Sequence, residues 1–236
     1  MSSHDRLTML NGTPIPYTAS FAELCRNLKS PGPLAWASIM ALGYQDSDDA
    51  FQELVELSQS TDWRFRRSAV EALAHHSRVG DAQNVIERAL NDTSPYVVRT
   101  ACEVVGNLKL STLHDNVATL LNSKYPVTRQ SALRVLSQLW HESDFPMVFH
   151  IFISDGNESV RKEAAWVLRD HPSKENWLEL FQAWWQDPLG RHRRWSCELA
   201  TTFGASKVEK ELKELSGDAD GHVRKAAASA LSLIKL

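Results

Sequence analysis

The residues able to do chemistry in this chain are few and scattered. Cys25, Cys102 and Cys197 are its three cysteines, and no two share a CxxC spacing. Neither a disulfide framework nor a thiolate zinc site is written in them. A nucleophilic role is conceivable for Cys197, close to Arg193 and Arg194, if those cations depress its pKa. Packing against the next helix pair is the expectation for it. One His-Glu dipeptide, His141-Glu142, has no second copy, and His75-His76 lacks the glutamate, so convergent ligands for a di-metal centre are missing. No Ser/His/Asp arrangement, P-loop or dinucleotide fingerprint is recognisable. The sequence therefore leans away from an enzyme, with no catalytic residue, metal or cofactor expected.

What remains are cations and indoles, the groups of recognition. Of the eight tryptophans, six lie between Trp140 and Trp195. Trp184 and Trp185 are adjacent, and neighbouring helix residues point about 100° apart, so both cannot face one core. Within the same stretch lie Lys162, Arg169 and the run Arg191-His192-Arg193-Arg194, which follows a turn and opens a helix. Cations there oppose the helix dipole, so an acidic neighbour or a bound anion would relieve them.

The elements that carry these groups repeat. Small residues mark the centre of successive helices at Ala37, Ala69, Ala101, Ala132, Ala164, Ser196 and Ala227, in steps of 32, 32, 31, 32, 32 and 31 residues. Four positions earlier stand Phe65, Val97, Thr128, Val160, His192 and Val223; four later, Leu73, Val105, Leu136, Leu168, Ala200 and Leu231. Shorter amphipathic segments lie between them, at 50–57, 82–90, 112–121, 145–153, 174–185 and 207–215. Each unit reads as helix, turn, helix, and such a pair cannot bury its apolar faces alone. The prediction is an all-α solenoid: an irregular leader over 1–18, divergent cap helices over 19–43 broken by Pro31-Gly32-Pro33, and six repeats over 44–236.

The line Val160, Arg161, Ala164, Leu168, repeated at Val223 to Leu231 with Asp155 and Asp218 ahead of it, resembles HEAT repeats. The period matches the short HEAT-like class, known also from phycobilisome bilin lyases, rather than units of ~40–47 residues. The resemblance covers roughly residues 34–236 and implies second helices lining a concave face. It also implies a structural arginine column: Arg66, Val98 (the exception), Arg129, Arg161, Arg193 and Arg224, pairing with the preceding acidic turn residue and helix-end carbonyls. The next column, Arg67, Arg99, Gln130, Lys162, Arg194 and Lys225, points further toward solvent. Glu71, Glu103 and Glu198 can neutralise three of these at i,i+4. The middle units have Arg134 and Trp166 there instead, with Arg169 a turn on.

The functional expectation is a protein-interaction scaffold taking a partner, through an acidic segment, on Arg134, Lys162, Trp166, Arg169 and Arg194, with Trp185 beside them. A nucleic-acid alternative comes from Val160 to His171, which is similar to one helix of the HEAT-like alkylpurine DNA glycosylases. There Trp166 would meet a nucleotide and Asp170 supply a carboxylate, but that family's tryptophan-aspartate and arginine helices are not recognisable in order. A bilin lyase-like chaperone is a further alternative, without a bilin-specific motif. The formal charge of −3 gives no general attraction to nucleic acid or anionic membrane. No run approaches the ~18 apolar residues of a membrane span, and the thiol usage points to a reducing cytoplasm.

Overall fold

A computed structural model describes residues 9–10, 12–29 and 32–235. Of the expected irregular leader, residues 1–8 lie outside the described part, as does Pro31 of the proline-glycine break. Asn11 of the leader lies outside the described part as well. Strands β1 (Met9–Leu10) and β2 (Thr13–Pro14) pair antiparallel, and Gly12 supplies the positive φ of +81° that their tight turn needs. Both strands pack on the first long helix, where Leu10 and Ile15 join the core.

Fourteen α-helices follow among the described residues. They are α1 (Phe21–Asn27), α2 (Pro33–Leu42), α3 (Asp48–Leu57), α4 (Trp63–Leu73), α5 (Gln83–Leu90), α6 (Pro95–Leu108) and α7 (His114–Thr119). Then come α8 (Pro126–Gln138), α9 (Phe145–Ser154), α10 (Glu158–Asp170), α11 (Trp177–Trp184), α12 (Gly190–Phe203), α13 (Glu209–Leu215) and α14 (Gly221–Ser232). The even-numbered helices from α4 are the second helices of the repeats. Their starts are set by local chemistry. Asp62 accepts from the Arg64 N–H, Asp220 from that of His222, and Asn157 from those of Ser159 and Val160. Pro95 and Pro126 open α6 and α8, where a missing N–H costs nothing.

Four of the first helices, α5, α7, α11 and α13, are shorter than their patterning predicts. Tight 3₁₀ turns over Val79–Ala82, Ser111–Leu113, Glu142–Asp144 and Ala205–Val208 lead into α5, α7, α9 and α13, and α11 begins only at Trp177. The amphipathic pattern continues through such a turn, which is why sequence cannot separate it from helix.

The chain forms two compact units, residues 1–140 with 157–160, and residues 141–156 with 161–236. In the first, α2 packs on α4, α4 on α6 and α6 on α8, with α3, α5 and α7 beside them. In the second, α11 and α14 pack on α12, and α13 on α14. The small-residue column from Ala37 to Ala227 has no exposed surface at any of its seven positions. Small side chains there let second helices within a unit, α2 to α8 in the first and α12 with α14 in the second, approach closely.

Gly43, just after α2, makes one such approach by backbone. A Cβ added to it would lie 2.4 Å from the Ala72 carbonyl oxygen and 2.9 Å from its carbon. Gly43→Ala is expected to destabilise the chain by about 1–3 kcal/mol, because a neighbouring backbone must move to admit the methyl. Urea midpoints of variant and parent check this. An unchanged midpoint would mean that α4 yields freely.

Candidate functional site

The arginine column proves structural, with its acidic partner in a different place from that expected. Arg66 donates to both oxygens of Asp92, at 2.7 Å each, and to the carbonyls of Ser60 and Thr61 at 2.8 and 3.1 Å. Arg193 repeats the arrangement with Asp218, at 2.7 and 3.0 Å, and with the carbonyls of Asp187 and Pro188. The carbonyls belong to the turn before each arginine, while the carboxylate comes from the turn of the following repeat. A planar guanidinium can serve both at once, which an ammonium cannot. Arg129, Arg161 and Arg224 likewise donate to the carbonyls of Ser123, Asp155 and Asp218. Each carboxylate also turns back on its own loop, Asp92 accepting from the Ser94 N–H and Asp218 from that of Asp220.

The outer basic column behaves as its spacing predicts. Arg99 and Arg194 pair with Glu103 and Glu198 at 3.3 and 3.2 Å, and Arg67 reaches Glu71 at 4.0 Å. Such half-exposed pairs add about 0.3–0.5 kcal/mol each, so their effect is to flatten the local field.

Trp166, on α10, breaks this pattern. It remains 44% exposed, and its ring meets the edge of Trp195 at 4.7 Å between centroids. Trp195 is itself 1% exposed and lies 5.5 Å from Trp184 and 5.0 Å from the His192 ring. The Arg169 guanidinium sits 5.5 Å from the Trp166 centroid and 5.4 Å from that of Trp195, over both rings, and donates to Asp170 at 3.1 Å. Beneath it runs a groove of about 350 Å³, walled by Arg169, Pro172, Trp184, Trp195, Leu199 and Phe203. The indole N–H groups of Trp184 and Trp195 are buried without hydrogen-bond partners. An indole braced by a buried ring and set against a guanidinium favours flat or acidic groups of a partner.

Of the expected contact set, Lys162, Trp166, Arg169 and Arg194 belong to this second unit. Arg134 stands exposed on α8 of the first unit and does not line the groove. Trp185 is half-buried at the end of α11 and is absent from the groove wall; its neighbour Trp184 takes that place. Trp184 and Trp195 are the site residues that patterning missed. The 100° argument separates Trp184 from Trp185 without saying which of them faces inward.

Burial decides the titratable groups here. Enclosure among Phe152, Trp184 and Trp195 holds the His192 imidazole below its ordinary range, and Arg191 adds to this. Asp187, 3.1 Å from Nδ1, opposes both. Burial pushes the Cys197 thiol up to about 11 and that of Cys102 up to about 12, so neither is a nucleophile near neutral pH. Among the described residues no group of three or more His, Cys, Asp or Glu is placed to hold a metal. No helix there is long and apolar enough to cross a membrane.

A smaller concavity of about 190 Å³ lies in the first unit, between Leu10, Trp36, Trp63 and Arg67. Its cations are paired: Arg64 holds Asp62 at 2.8 Å, and Arg67 has Glu71. The half-exposed Trp63 stacks on Tyr96 at 5.0 Å, so its ring is already engaged.

Residues 82–169 match the family model of HEAT repeats. Over 91% of its length the chain superposes on the Escherichia coli protein YibA, with a TM-score of 0.61, 18% identity and 82% of that chain covered. The archaeal HEAT-like repeats protein of Thermococcus onnurineus NA1 superposes over 92% of this chain and 97% of its own, with a TM-score of 0.56 and 17% identity. The chain is a HEAT-like repeat solenoid. At these identities the structural likeness speaks for fold alone. An engineered protein shares the HEAT-like solenoid's fold to a similar degree, with a TM-score of 0.58, 18% identity, and 91% and 68% of the two chains covered. Among curated proteins none matches the chain.

Proposed function

We propose that this HEAT-like chain is a non-enzymatic scaffold that binds an acidic segment of a partner protein on the second helices of its second unit. The observation that carries this is Trp166, an exposed indole braced by buried Trp195 and covered by the Arg169 guanidinium. A large aromatic held rigid at the surface loses little entropy when it is covered, and paired with arginine it has the composition of a binding hot spot. Lys162 on α10 and Arg194 on α12 are the further contacts, Arg194 exchanging Glu198 for a carboxylate of the acidic segment, and together they fix its register.

The test joins Trp166→Ala with Arg169→Ala, both side chains being substantially exposed. The double variant is expected to lose at least tenfold in affinity for the co-purifying partner, with its helical circular dichroism unchanged. Undiminished partner recovery would sink the site. Binding of duplex or alkylated DNA at low salt, lost in the same variant, would replace the protein partner with nucleic acid.

A further inference from the structure

One place in the first unit lacks what every neighbouring repeat contains. Where Arg66 and Arg193 bridge two turns, the second repeat has Val98, and the residue that would answer it with a carboxylate is Ser123. Both members of the pair are absent together. In their place is a groove of about 350 Å³, bordered by Asp92, Val98, Ser123, Lys124, Tyr125 and Thr128.

Of the acceptor residues that its sister sites use, the groove keeps the equivalent Asp92 on its border, with Thr93 next to it in sequence. In the Arg66 and Arg193 sites the guanidinium binds carbonyls five and six residues before the arginine. The equivalents ahead of Val98 are the carbonyls of Thr93 and Asp92, which receive no hydrogen bond among the described residues. Thr128 adds a hydroxyl that has no hydrogen-bond partner although the residue is 2% exposed. Leaving a buried polar group unsatisfied is costly, so a donor arriving here gains what the fold leaves unmade.

We propose that this groove receives an arginine side chain of a partner protein, which takes the place that the chain's own arginines fill elsewhere. The planar guanidinium would donate to the Asp92 carbonyl and to Thr128, beside the Tyr125 ring. Asp92 favours the cation although Arg66 shares it; Lys124, 5.1 Å above the Tyr125 ring, opposes it. Arg66 stands one residue from Arg67 and two from Arg64, so a guanidinium in this setting tolerates cations nearby. The site is separate from the Trp166 groove and of opposite charge preference, so the same chain would hold an acidic and a basic element at two places.

The probe is acetyl-Gly-Arg-Gly-amide, titrated into the full chain while the methyl resonances of Val98 and Thr128 are followed. Saturable shifts are expected, with the lysine and citrulline versions at least tenfold weaker. Val98→Arg, which fills the groove from within, should abolish the shifts at Thr128 and keep the helical circular dichroism. Val98→Met, an uncharged filler, should do the same and serves if the arginine variant fails to fold. No saturable shift, equal binding of the lysine peptide, or shifts produced by inorganic phosphate instead would each overturn the proposal. Undiminished binding by either filled variant would as well.

Discussion

Replacing Trp195 with alanine should destabilise the chain by about 3–5 kcal/mol, the range for removing a large buried aromatic. The residue is 1% exposed, and its ring touches Trp166, Trp184 and His192, so no neighbour can close over the space it leaves. Trp166→Ala, by contrast, removes a ring that already faces solvent on one side, and should cost under about 1.5 kcal/mol even counting the lost edge contact. Urea unfolding of the two variants separates them directly. Both are expected to weaken the partner, but only Trp195→Ala should shift the midpoint strongly. Equal shifts would mean that Trp166 is a packing residue and that its exposure has no functional meaning.

Arg193→Ala should cost a similar amount, about 3–5 kcal/mol, for a different reason. The Asp218 side chain is 9% exposed and that of Arg193 18%, so the truncation strands a carboxylate together with two turn carbonyls. Replacing both partners by apolar residues should cost much less, since nothing charged is then left behind. The chain contains its own precedent in Val98 and Ser123, where both partners are gone and the repeat still folds. The pair also sets an acid response. The hydrogen bonds from Arg193 hold the Asp218 carboxyl below the usual carboxylate range. At Asp92 burial pushes upward, but the hydrogen bonds from Arg66 and the Ser94 N–H outweigh it. A depressed carboxyl stabilises the folded state fully above the unfolded pKa of about 3.9, and that contribution fades as pH falls toward the folded value. Stability of the parent should therefore fall steeply below about pH 4. Arg193→Ala should show a shallower acid limb, and an unchanged slope would mean that the pair does not govern it.

The repeat architecture was legible because it rests on burial with a fixed period. Ala69, Ala101, Ala132, Ala164, Ser196 and Ala227 are small for one reason, close helix approach, and all six are fully buried. The three glutamates four residues after Arg67, Arg99 and Arg194 were equally readable, since helix geometry fixes the distance. The carboxylate partners of Arg66 and Arg193 were not. Sequence offers an aspartate six residues before Arg193, but only packing shows that the carboxylate one repeat later lies nearer. The candidate site was half legible. Trp166 and Arg169 stand out as departures from the column, whereas Trp184 and Trp195 occupy positions where a core residue is expected anyway. Which of Trp184 and Trp185 walls the groove was not readable, because a helix end leaves its rotation undetermined by a few residues of pattern.

The bridging arginines carry one more consequence. Arg66 meets an aspartate 26 residues on, and Arg193 one 25 residues on, while each also holds carbonyls five and six residues back. A single inserted residue in the first helix between them would swing the carboxylate by about 100° of helical turn and move it out of reach. An inserted block of about one repeat leaves every such span intact. Length in this chain is therefore quantised: it can grow or shrink by whole units of 31 or 32 residues far more readily than by one.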